Sequence, residues 1–76
     1  MTLGTTMVKV IDSNERRVVL EGTVEGLPGL TERWTVSVEA IGADPGLLAQ
    51  VRDELVARMD QKAEAWQTAQ LAIASL

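Results

Sequence analysis

From Leu47 to Leu76 the chain runs 30 residues without a proline or a glycine. That stretch, two fifths of a 76-residue chain, is dominated by Ala, Leu, Gln, Glu, Arg and Met, the residues that lose least on entering a helix. The residues before it supply a start signal. Asp44 can accept backbone N–H groups as an N-cap, and Pro45 suits the first helical position because its missing N–H would be unpaired there in any case. The pattern predicts one helix over about 45–74, some 45 Å long at 1.5 Å per residue.

Ahead of it, three segments alternate apolar and polar residues with the period of a strand wetted on one face. They predict strands over about 6–11, 17–25 and 32–41. In the third, Trp34, Val36, Val38 and Ala40 share one face, and Arg33, Thr35, Ser37 and Glu39 the other. Asp12-Ser13-Asn14-Glu15 reads as the first turn and Leu27-Pro28-Gly29-Leu30 as the second, Pro then Gly being the order of a type II turn. Matching faces then sets Val24 opposite Trp34, Gly22 opposite Val36, Leu20 opposite Val38 and Val18 opposite Ala40. Glu25 would meet Arg33 and Thr23 would meet Thr35 on the wet face, pairs worth about 0.2–1 kcal/mol each. Gly22 leaves room on the inner face for a large side chain, Trp34 or one from the helix. The expected fold is therefore α+β, a three-stranded antiparallel β-meander followed by one long C-terminal α-helix (βββα), with residues 1–76 as a single domain.

A core of this size is thin, since a chain this short buries only about 60–65% of its unfolded surface. The usual reinforcements are disulfides, a metal or association. Cysteine and histidine are both absent, which removes disulfides and the commonest metal ligands. No spacing matches a calcium loop or a phosphate-cradling glycine motif. Association is what remains, and no cofactor is expected.

The helix suggests where association would occur. Leu48, Val51, Leu55, Met59, Trp66, Ala69 and Ile73 lie within about 60° of one direction, with Leu76 at the edge of that stripe. An eight-residue strand spans only about 26 Å, so the stripe outruns the sheet. Its first half, Leu48 to Met59, can cover Val8, Val10, Val18, Leu20, Trp34, Val36 and Val38. The second half has nothing left to pack on, and no side chain after Glu64 is ionisable. From Met59 the sequence Met59, Lys62, Trp66, Ala69, Ile73, Leu76 steps three and four alternately, the rhythm of a helix pairing with a helix. Lys62 interrupts this seam, although its methylenes can lie along it. Met59, Trp66, Ala69, Ile73 and Leu76 are thus the candidate interface, for a homo-oligomer or a helical protein partner.

Other functions find less in the residues. With no His, Cys or Tyr, a catalytic site would rest on carboxylates, Lys and hydroxyls, and none is visibly activated; an enzyme is not expected. The formal charge is −4 and no basic stripe is present, which disfavours nucleic acid. No apolar run is long enough to span a bilayer, and no basic segment leads into an apolar one as in a secretory signal, so a cytoplasmic chain, or one inside a larger assembly, is expected. The leading expectation is a non-enzymatic interaction or assembly module, such as a small structural or adaptor subunit of a viral or bacterial particle. The alternative is a small acidic inhibitor that blocks another macromolecule through a sheet face carrying Glu21, Glu25, Glu32 and Glu39.

Overall fold

The computed structural model describes residues 4–76. Strands β1 (Thr6–Ser13), β2 (Arg17–Val24) and β3 (Leu27–Ser37) form one antiparallel sheet in the order β1-β2-β3. A short helix, α1 (Val38–Ala43), leads to the long helix α2 (Leu47–Ala74), which lies across one face of the sheet. The βββα arrangement expected from the pattern is present, with α1 as an addition.

The second hairpin turns earlier than its Pro-Gly pair suggests. Gly26 takes φ +82°, a left-handed conformation with little cost for glycine, and Val24 pairs with Leu27 across this tight turn. Pro28, Gly29 and Leu30 are accommodated as an irregularity in β3, before Thr31 pairs with Thr23. The pairing then runs Gly22 with Glu32, Glu21 with Arg33, Leu20 with Trp34 and Val18 with Val36. Relative to the expected register, β2 is displaced by four residues along β3. An even displacement preserves the faces, because side chains alternate with a period of two. Leu20, Gly22, Val24, Trp34 and Val36 therefore remain on the helix side while every pairing partner changes.

The new register also ends β3 at Ser37 rather than near residue 41. Arg17, the first residue of β2, pairs with Ser37, and the last rung is the Val38 N–H donated to the Arg16 carbonyl. Beyond it the chain has no strand to pair with. Ser37 instead becomes an N-cap, its Oγ accepting the Ala40 N–H at 3.0 Å, and Glu39 enters the first turn of α1, where the helix dipole favours an acid. Val38 and Ala40, expected to face Leu20 and Val18, lie in α1 half-buried. Asp44 is not the N-cap foreseen for it: α2 begins at Leu47 with Gly46 as its N-cap and no side-chain cap bond, and Asp44 instead closes α1 as its C-cap, its N–H donated to the Ala40 carbonyl. In the turn between the helices its Oδ1 accepts the Gly46 N–H at 3.1 Å and its carbonyl accepts the Leu47 N–H.

The core forms in two pockets along α2. Leu20, Val36, Val51 and Leu55 pack with Val8, Trp34, Ile41, Leu47 and Leu48 near the start of the helix, and Val24, Met59 and Ala63 pack with Leu27 and Leu30 one to two turns on. Gly22 sits between them. A Cβ there would come within 2.7 Å of Met59 Cγ, so the missing side chain is what lets Met59 reach the sheet.

Candidate interaction surfaces

The buried row on α2 is Val51, Leu55, Met59 and Ala63, and it stops there. Met59, placed by its spacing in the candidate interface, belongs to the core instead, with no accessible surface at all. The sheet reaches one turn further along the helix than strand length alone indicates, because Leu27 and Leu30 at the end of the lengthened β3 pack against Met59 and Ala63. Lys62 does not interrupt a seam. Its Nζ reaches back to the sheet, 3.3 Å from the Thr31 carbonyl and 3.6 Å from Glu32.

Past Ala63 no residue of α2 is fully buried among the described residues. Trp66 is half-buried and Ala69 exposed, while Ile73 and Leu76 are 60% and 105% exposed. Leu71, on the other side of the tail, is 67% exposed. Of the five candidate interface residues, Met59 is therefore buried, Trp66 half-buried, and Ala69, Ile73 and Leu76 exposed among the described residues. The overhang is visible in the dimensions. The molecule measures 51 × 18 × 18 Å with a radius of gyration of 15.0 Å, whereas a compact chain of this length has about 11 Å.

The four carboxylates of the acidic alternative do not gather on one face. Glu21 lies on the outer face, flanked across the strands by Lys9 and Arg33, and Arg33 Nε donates to it at 2.9 Å. Glu25 occupies the hairpin turn and Glu39 lies in α1, both exposed. Glu32, paired with Gly22, faces the helix and accepts from Arg58 at 2.9 Å, with Lys62 beside it. The hydrogen bond from Arg58 foremost, then the charge of Lys62, holds the Glu32 carboxyl below its ordinary value of 4.5 against the opposing effect of burial. The same bond pushes the Arg58 guanidinium up. Arg58 also lies 4.6 Å from the centre of the Trp34 ring, a cation–π distance. Trp34, Arg58, Glu32 and Lys62 thus clamp α2 to the edge of β3, and the indole face is covered rather than offered as a stacking platform.

At the opposite edge an open cleft of about 360 Å³ lies between β1 and the start of α2. Val8, Val10, Leu20 and Leu48 form its apolar walls, with Lys9 and Arg52 among its lining. Alternation placed Val8 and Val10 on the inner face but could not show that Val10 would be 54% exposed. The pairing of β1 with β2 shifts between Val10 and Asp12, and the burial of β1 ends before that point, at Val8. A bulge leaves no signature in a pattern of apolar and polar residues.

Among the described residues no group of three or more acids, His or Cys is placed to hold a metal, and no helix is long and apolar enough to cross a membrane. Comparison with protein-family models, with curated proteins and with solved structures finds no match.

Proposed function

We propose that this chain is a non-enzymatic interaction module that associates with copies of itself through the tail of α2, as a small structural or adaptor subunit of a larger assembly. The observation that carries the reading is the row Trp66, Ala69, Ile73, Leu76, which continues the apolar side of α2 beyond the last buried residue, Ala63; among the described residues Trp66 is half-buried and Ala69, Ile73 and Leu76 are exposed. Burying an aliphatic side chain of this size is worth about 1.5–3 kcal/mol. Two copies that cover Ile73 and Leu76 on each other gain that amount four times over, the same order as the roughly 4–15 kcal/mol lost in bringing two molecules together. Contiguous exposed apolar surface of this kind is where monomeric proteins meet partners.

The acidic-inhibitor alternative draws less support. Glu21 and Glu32 are each engaged by a cation of the same chain, and Glu25 and Glu39 sit in separate elements. It predicts binding to a basic partner that weakens steeply with salt.

Sedimentation equilibrium from 5 to about 500 micromolar tests the leading reading; association driven by apolar burial is expected to strengthen with moderate sulfate. A mass of 8.2 kDa throughout that range would refute it.

A further inference from the structure

Resting on the self-association proposed above, we infer that two copies pair antiparallel through residues 65–76 of α2, with their sheets at opposite ends of an elongated dimer. The stripe and the sheet share a side of the helix. At 100° per residue, Ala65, Trp66, Ala69, Ala72, Ile73 and Leu76 fall in one arc about 120° wide, centred some 60° from the row that faces the sheet. In a parallel pair each copy's own sheet, about 10 Å thick with its side chains, would stand between two helices whose axes must lie 8–10 Å apart. Antiparallel pairing brings only the tails together. The partner's Leu76 then lies beside Trp66, one turn beyond Ala63 where the sheet of the first copy ends, and extends the cover of the same apolar side.

The residue sizes agree with this direction. Around a two-fold axis, Trp66 lies opposite the partner's Leu76 and Ala69 opposite the partner's Ile73, so the layers are more even in volume than those of a parallel pair. A parallel pair would stack Trp66 on its own copy and Ala69 on its own copy, one layer overfilled and the next hollow. A two-fold interface sets a surface against itself, so like charges would meet; this stripe carries none, since no side chain after Glu64 is ionisable. A partner recognised by charge would find nothing there to read, which favours a second copy as the occupant. Three turns of helix cover roughly half of the ~800 Å² per partner of a standard interface, so the dimer is expected at tens to hundreds of micromolar rather than at nanomolar concentration. Such a dimer is bivalent, offering two identical sheet ends on a rigid helical rod.

Small-angle X-ray scattering at concentrations where sedimentation shows a dimer reads the direction. Two 51 Å molecules overlapping over about 15 Å of helix give a longest dimension near 85–90 Å, against about 55 Å for a parallel pair. The chain has no cysteine, so two exposed positions can be probed alone. Under oxidation, Ala69→Cys mixed with Ile73→Cys is expected to cross-link as a heterodimer, and Ile73→Cys by itself is not, because antiparallel copies hold the two residues 73 beyond disulfide reach. A compact dimer in which Ile73→Cys cross-links to itself overturns the direction while leaving self-association intact. A monomer at every concentration overturns both.

Discussion

Gly22 and Met59 form a lock whose two halves can be tested against each other. Met59 is completely buried, and truncating a buried methionine to alanine costs about 2–5 kcal/mol, depending on how far the site collapses. For a chain of this length the total stability is on the order of 4–11 kcal/mol, so Met59→Ala removes a large share of it. Gly22→Ala acts from the opposite side. Its new methyl would sit 2.7 Å from Met59 Cγ, a mid-chain atom that cannot simply swing away, and overpacking of this kind costs about 1–3 kcal/mol. The lower entropy of the unfolded alanine chain returns about 0.4–1 kcal/mol, leaving a net loss near 1–2 kcal/mol. In a Met59→Ala background the same methyl enters the space Met59 vacated, so Gly22→Ala becomes neutral or stabilising. Urea unfolding of the four proteins, followed by circular dichroism at one low concentration, measures the cycle, and a coupling of about 1–3 kcal/mol is expected. If Gly22→Ala costs the same with and without Met59, the two do not touch and the placement of Met59 in the core is wrong. The cycle also separates Met59 from the interface: its effect should not vary with protein concentration.

Three further outcomes follow from the geometry. Trp66→Ala should shift the association midpoint at least tenfold toward higher concentration while the far-ultraviolet signal of the sheet and of α2 at low concentration stays unchanged; unaltered sedimentation would remove Trp66 from the interface. Glu32 ionises more readily in the folded chain than in the unfolded one, so its contribution is complete above pH 4.5 and disappears as pH falls through the lower folded value. Glu32→Gln should therefore be less stable than the parent at pH 7 and lose less on acidification, and parallel stability–pH curves would contradict the Arg58 pairing. Gly26→Ala places a Cβ at φ +82° and is expected to cost about 1–2 kcal/mol, read as a lower urea midpoint.

Trp34, Arg33 and the glutamates show how far the one-dimensional pattern carries. Alternation assigned the faces of Leu20, Gly22 and Val24 in β2 and of Trp34 and Val36 in β3, since a side chain's face depends only on its neighbours in the same strand; Glu32, grouped with Glu21 on the acidic face, lies on the helix side instead. Pairing was another matter. Glu21 and Glu25 are four residues apart on one face, so either can serve Arg33, and the two registers are equivalent by charge and by face. The choice fell to the hairpin, where Gly26 closes a tighter turn than Pro28-Gly29 would. That choice in turn stripped Val38 and Ala40 of strand partners and left Ser37 free to cap α1. Likewise Lys62, read as an interruption of a seam, turned out to be an anchor, because only the fold brings Glu32 and the Thr31 carbonyl within its reach.

What the chain determined locally is its inventory: three alternating segments, a helix with no breaker from Leu47 onward, and an apolar stripe longer than any sheet so short a chain could build. These follow from periodicity and backbone stereochemistry, which act over a few residues. Tertiary structure alone decided the register, the point at which Ser37 ends the sheet, and the last turn of α2 that the sheet covers. Each of those depends on contacts between residues far apart in sequence, such as Met59 over Gly22 and Ala63 against the Leu27–Leu30 end of β3, where small differences in packing select among arrangements that the local pattern leaves equal.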